Sequence, residues 1–147
     1  KHTEDELVAV LAHEVGHYKK KHILTSLILS ILQLGLMCFL FELCLNEENI
    51  SRALGSDKVV FHLGLVGFGI LYSPIGTIVG IFMNILSRKN EFEADAYAKK
   101  TFEGSSLELA LKKLSVDNLT NLYPHPLYVF IHYSHPPLLK RLEALNK

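Results

Sequence analysis

The hydrophobic residues of this chain are gathered into two long stretches. No charged residue occurs from Ile23 to Phe41 (ILTSLILSILQLGLMCFLF) or from Val59 to Ser87 (VVFHLGLVGFGILYSPIGTIVGIFMNILS). Crossing the roughly 30 Å hydrocarbon layer of a bilayer takes about 20 apolar residues in a helix. A helix that is apolar all round belongs in a membrane or a large core, and 147 residues are too few to bury two. The pattern predicts transmembrane helices at 23–45 and 59–86.

The segments that flank these stretches carry signals for further helices. Thr3 and Glu6 have the spacing of a capping box, which predicts a helix within residues 1–22. Residues 87–147 are expected to form a helix that begins near Ser87 and then shorter helices, one of them opened by a second capping box at Ser105. The predicted fold class is therefore all-α, with a two-helix transmembrane hairpin between helical flanks.

The net charge and the placement of the basic residues add two expectations, about partners and about orientation in the membrane. The formal net charge is zero although 49% of the residues are hydrophobic, so no basic field indicates a nucleic-acid partner. Lys19–Lys21 precede the first apolar stretch, and Arg88 and Lys89 follow the second. The loop at 46–58 has two basic and three acidic residues. The positive-inside rule therefore predicts that both flanks face the cytoplasm.

Metal chemistry is indicated by the motif His13-Glu14-Val15-Gly16-His17, an H-E-x-x-H sequence. Residues four apart share one face of a helix, so both imidazoles can reach one ion. Glu14 points about a third of a turn away, where it can touch a water on the metal rather than the metal itself. The pattern predicts two histidine ligands and a glutamate base.

A third ligand is needed, because a catalytic zinc keeps three protein ligands and one open position. The histidine of a metzincin extension is absent, and His22 stands at the wrong offset. Glu91 and Asp95 are four apart and share a helical face, so one can bind the metal while the other orients a histidine. The alternative is a solvated acidic face beside Arg88 and Lys89.

Three ordered segments, LAHEVGHYKKKH, SRKNEFEADAYAKK and HYSHPPLLKRLEAL, make the chain resemble the C-terminal part of the type I CAAX prenyl proteases. The resemblance implies that His13, His17 and Glu91 bind one zinc ion per chain and that Glu14 is the active-site base. It gives Asp95 a second catalytic role as a proton donor, although a position one turn beyond Glu91 fits an orienting role equally well.

Two residues of the last segment also receive roles. The resemblance implies that His135 approaches the active site and stabilises the oxyanion, whereas the alternative is a histidine that caps the final helix. Arg141, on that helix, is expected to pair with a buried acid near the site.

The resemblance also implies the activity. It is that of an integral-membrane zinc endopeptidase that removes the C-terminal tripeptide of prenylated proteins. Residues 1–147 would be its C-terminal catalytic portion, enclosed by further N-terminal transmembrane helices. The expected location is the endoplasmic reticulum membrane in a eukaryote or the inner membrane in a bacterium.

Two alternatives remain. One is a heat-shock-type membrane protease that degrades misfolded membrane proteins. The other is a zinc transporter, disfavoured because the polar residues lie just outside the apolar stretches rather than within them.

Overall fold

A computed structural model of the protein describes residues 2–147 and contains helices but no strand in that range, which confirms the predicted all-α class. The helices are α1 (Glu4–Lys19), α2 (His22–Asn46), α3 (Glu48–Ala53), α4 (Phe61–Thr101), α5 (Gly104–Asp117), α6 (Pro126–His132) and α7 (Leu138–Leu145).

Helix α1 begins with the predicted capping box. The Thr3 hydroxyl accepts a hydrogen bond from the Glu6 backbone N–H, and the Glu6 carboxylate accepts one from the Thr3 N–H. Its buried residues are Glu6, Ala9, His13 and Gly16, which lie three or four apart and so form one face. Within the metal-binding motif, His13 and Gly16 therefore lie on the buried side of α1, whereas Glu14 is exposed.

A tight turn separates α1 from α2. Lys20 still has helical dihedrals, but Lys21 has a φ of 59°, in the left-handed region. Helix α2 starts at His22, after this turn, so the first apolar stretch is not a continuation of α1.

The residues from Thr25 to Gly80 form one compact unit, which contains most of α2, α3 and the first part of α4. The rings of Phe41 and Phe68 meet edge to face at 5.1 Å. A Cβ added at Gly64 would lie 3.0 Å from the Leu45 Cα. Phe41 pairs with Phe68, and the later residue Leu45 pairs with the earlier residue Gly64. The two helices are therefore antiparallel. This is the predicted hairpin, and glycine permits its close approach.

Helix α4 departs from the sequence prediction. A new helix was expected near Ser87, but α4 runs without interruption from Phe61 to Thr101 and includes Pro74. No glycine or proline occurs from Ile81 to Thr101, so nothing local ends the helix where the apolar stretch ends. Both α2 and α4 contain an 18-residue segment that is apolar enough to cross a membrane, with a mean hydropathy of 2.3 for the segment in α2 and 1.9 for the segment in α4.

The second compact unit combines the residues up to Leu24 with Ile81–Lys147. Its core contains small and aliphatic side chains from α1, α4, α5 and α7. They are Ala9, Ala98, Leu107, Leu111 and Leu145. Alanines at the centre let the helix backbones come close, and this unit contains all the residues of the metal-binding motif.

Two local details of the polar segments differ from expectation. Helix α5 begins at Gly104, with Glu103 at its N-cap, so the predicted capping box at Ser105 does not form; the Ser105 hydroxyl instead lies 3.5 Å from the Glu103 carboxylate. The polar loop contains α3. Helix α6 is one of the expected shorter helices, and its first turn is capped by the His125 ring.

Candidate metal centre

The motif histidines and Glu91 come together between α1 and α4. His13 Nε2 and His17 Nε2 are 3.1 Å apart. The Glu91 carboxylate oxygens lie 3.6 Å from the first nitrogen and 3.4 Å from the second. All three donors lie within 4.8 Å of one another, a cluster that can hold a metal ion.

The spacing of these donors fits tetrahedral zinc. Zinc–nitrogen bonds of about 2.0–2.1 Å place the corners of a tetrahedron about 3.3–3.4 Å apart. The two nitrogens, 3.1 Å apart, are close to one such edge, and each has a different Glu91 oxygen near it, Oε2 at 3.6 Å from His13 and Oε1 at 3.4 Å from His17. Two imidazoles and one carboxylate are also a donor set that catalytic zinc sites use. The residues present therefore fit a zinc ion in both geometry and chemistry.

Asp95 lies behind His13, on the side away from the other donors. Its Oδ1 is 2.9 Å from His13 Nδ1, although the angle at this buried nitrogen is not that of a regular hydrogen bond. Asp95 is 1% exposed and accepts two hydrogen bonds from the Arg141 guanidinium, at 2.8 and 2.6 Å. Arg141 Nη1 also lies 3.3 Å from Glu91.

Arg141 is thus the cation that balances two buried carboxylates. Burial acts to lower the pKa of its guanidinium, but the hydrogen bonds and charge of Asp95 outweigh burial, so the pKa is raised and the group stays charged. The expectation that Arg141 pairs with a buried acid matches these contacts, and a bidentate pair of this kind also fixes the orientation of the carboxylate.

His17 has a different group behind it. Its Nδ1 lies 3.1 Å from His22 Nδ1, and His22 Nε2 lies 3.4 Å from the Glu93 carboxylate. Burial is the largest cause that lowers the pKa of His17, and the neighbouring His13 lowers it further. A lowered pKa favours the neutral imidazole, which is the form that binds metals.

A cavity of about 460 Å³ opens beside the three donors, within the size range of ligand sites. Glu14 is exposed and lines it, as does His135, whose side chain is 66% exposed and whose Nδ1 lies 3.2 Å from a Glu91 oxygen. Asp95 does not line it. The full lining is Val10, His13, Glu14, His17, Ile23, Glu91, Leu107, Leu111, Leu114, His135 and Arg141.

All six residues predicted for the site lie in this one region, but their surroundings differ. His13, His17 and Glu91 face one another, Glu14 and His135 face the cavity, and Asp95 is buried behind His13. Helix α7 has Pro137 at its N-cap and no side-chain cap, so His135 does not cap it. Sequence reasoning missed His22 and Glu93. It also missed the apolar wall from α5, although Leu107, Leu111 and Leu114 have helical spacing.

The sequence pattern of peptidase family M48 matches residues 1–147. The chain belongs to peptidase family M48. A CAAX prenyl protease 1 homolog of Arabidopsis thaliana is 40% identical over 147 residues, which cover 97% of this chain and 34% of that protein. The homolog of Homo sapiens is 39% identical over 145 residues, which cover 97% of this chain and 30% of that protein.

A solved structure agrees with these sequence relatives. The crystal structure of S. mikatae Ste24p matches with a TM-score of 0.80 and 36% identity, over 97% of this chain and 36% of that one. The chain spans about a third of the length of the curated relatives that it matches. Membership of family M48 agrees with the resemblance derived from the three sequence segments.

Proposed function

We propose that this chain carries the zinc site of an integral-membrane endopeptidase, in which His13, His17 and Glu91 hold one zinc ion. The observation that carries the proposal is the donor cluster itself, in which one ligand atom from each of the three residues lies within 4.8 Å of the others and the donors are of the kind that catalytic zinc sites use. Membership of family M48 supports the same assignment.

The chemistry requires a water molecule and a peptide carbonyl in the cavity. Zinc, when bound, lowers the pKa of a water to about 7 and polarises a carbonyl. The Glu14 carboxylate accepts the proton of the attacking water and delivers it to the nitrogen of the leaving amine. The His135 imidazole donates a hydrogen bond to the carbonyl oxygen as negative charge develops there.

Asp95 has a different task in this scheme. It is buried, does not line the cavity and is held by Arg141, so it has no route to the leaving amine. We assign it to orienting His13 through the contact at Nδ1, a role that carboxylates often have behind a metal-binding histidine.

The proposed substrates are prenylated proteins or peptides that end in a C-a-a-X motif, cleaved after the prenylated cysteine. The names of the relatives from two kingdoms support this substrate class. The apolar stretches of α2 and α4 would anchor the protein in the membrane, with Lys19–Lys21 and Arg88 on the cytoplasmic side. In a eukaryote the membrane would be that of the endoplasmic reticulum.

The test uses the intact protein purified in detergent, with zinc measured by elemental analysis. Glu14→Gln should retain about one zinc per chain and lose nearly all cleavage of a farnesylated C-a-a-X peptide, because an amide cannot accept the proton of the water. Glu91→Ala should lose both zinc and activity. Substantial turnover by zinc-loaded Glu14→Gln would refute the base assignment. Equal cleavage of an unprenylated peptide would favour the heat-shock type of protease.

A further inference from the structure

His17 is connected to a carboxylate through a second histidine. Its Nδ1 contacts His22 Nδ1 at 3.1 Å, and His22 Nε2 contacts Glu93 at 3.4 Å. His22 is 6% exposed, so its ring is held among protein atoms. Glu93 in turn lies 3.7 Å from Lys89 on the same helix. The contacts form a continuous path from the metal-facing ring to an acid on α4.

The turn between α1 and α2 is what makes this path possible. In a continuous helix, residues five apart point about 140° from each other, so the rings of His17 and His22 would diverge. The left-handed φ of Lys21 ends α1 and brings the two rings to a centroid distance of 5.1 Å. Lysine rarely adopts that conformation, so contacts of the folded chain around the turn must offset its cost.

The direction of the hydrogen bonds follows from the role of His17. With Nε2 facing the other donors, the proton of its neutral ring lies on Nδ1 and is donated to His22 Nδ1. His22 then carries its own proton on Nε2, which it donates to Glu93. Every ring nitrogen in the path has a partner.

We propose that His22 and Glu93 are positioning residues that hold the His17 ring in the tautomer and orientation that bind the metal. The inference rests on the proposed zinc site and extends it. Each histidine ligand then has its own carboxylate from α4. Asp95 holds His13 directly, whereas Glu93 holds His17 through His22. Groups in this position usually contribute strongly to metal affinity.

The experiment measures the zinc dissociation constant of the intact protein by chelator competition, together with the visible spectrum of the Co²⁺-substituted protein. His22→Phe keeps a ring of similar shape but removes both hydrogen bonds. It should weaken zinc binding by about 10–100-fold and change the Co²⁺ spectrum. The matched control is His132→Phe, at an exposed histidine outside the site, which should change neither.

A conservative variant separates positioning from packing. His22→Asn retains an oxygen that can accept the His17 Nδ1 proton, so it should recover part of the affinity that His22→Phe loses. Glu93→Ala should weaken zinc binding several-fold, whereas Glu108→Ala, which breaks a similar pair with Lys112, should not. Because Glu93 is 36% exposed, its variant decides the question if His22→Phe does not fold.

Two results would overturn the inference. One is a folded His22→Phe or Glu93→Ala protein with wild-type zinc affinity and a wild-type Co²⁺ spectrum. The other is a loss of thermal stability in these variants with both metal readouts unchanged, which would show that they only pack. A wild-type protein that binds no zinc would overturn the proposed function itself, and this inference with it.

Discussion

Replacing Asp95 by asparagine distinguishes its two possible roles. Asparagine keeps an oxygen for His13 Nδ1 but removes the charge that Arg141 contacts at 2.6 and 2.8 Å. Arg141 is then left with Glu91, 3.3 Å away, and competes with the metal for that carboxylate. The complete loss of a group behind a metal ligand costs about 10–100-fold in affinity, and asparagine, which keeps the oxygen, should fall at the lower end of that range. At about 1.4 kcal/mol per tenfold change, the range corresponds to about 1.4–2.8 kcal/mol of binding free energy.

The assay is chelator competition on the intact protein, with peptide cleavage measured at saturating zinc. An orienting Asp95 predicts weaker zinc binding and nearly normal kcat once zinc is restored. A proton donor predicts normal zinc binding and a kcat lower by about 10²–10⁴. Arg141→Met added to Asp95→Asn removes the competing cation and should recover part of the affinity. Asp117→Asn, at an exposed position, is the control. Wild-type zinc affinity in Asp95→Asn would refute the orienting role.

Three further variants probe other parts of the structure. His135→Ala should lower kcat by about 10²–10³ with zinc content and KM little changed, as for loss of one oxyanion donor. The ion pair with Lys113 holds the pKa of Glu6 below its ordinary value, so its stabilisation is present at neutral pH and is lost as the pH falls below about 4.3. Glu6→Gln should therefore lower Tm at pH 7, and the difference in Tm from the wild type should become smaller at acidic pH. Gly16→Ala places a Cβ 3.0 Å from the Ala94 Cα and should cost about 1–2 kcal/mol, because overpacking against backbone exceeds the gain in helix propensity.

Each variant has a control and a contrary result. His132→Ala should leave kcat unchanged, and a weakened His135→Ala protein with normal kcat would contradict the catalytic role. Glu143→Gln, at a carboxylate that is half exposed, should change Tm little. If the loss of Tm caused by Glu6→Gln grew as the pH fell, the ion pair with Lys113 would not be the cause of the stabilisation. Gly35→Ala meets no atom within 4 Å in the described residues, and equal stability changes at both glycines would show that α1 and α4 are not tightly packed.

The metal-binding motif could be predicted because its signal is local. H-E-x-x-H places His13 and His17 on one helical face whatever the tertiary structure. The apolar stretches were equally clear, because their composition differs from every other segment. Glu91 could not be identified from helical spacing alone, because three carboxylates, those of Glu91, Glu93 and Asp95, lie close together in the sequence. The spacing does not say which of them meets the histidines.

Other features depend on contacts that the sequence does not encode locally. The continuity of α4 through Ser87 was missed because a change from apolar to polar residues resembles a boundary, yet contains no helix-breaking residue. The contact between His22 and His17 was missed because the offset between them was judged on a continuous helix. Only the left-handed turn at Lys21 makes the two rings meet.

The dependence of Asp95 on Arg141 also has a consequence for biosynthesis. The histidines of α1 leave the ribosome early, the carboxylates of α4 follow, and α7 is the last of the described helices to be translated. A nascent chain that has not yet reached Arg141 holds every metal donor but lacks the cation that balances Asp95 and Glu91. Such a chain lacks the contacts that fix the Asp95 carboxylate behind His13, so the site should reach its final geometry only when translation of this segment is nearly finished.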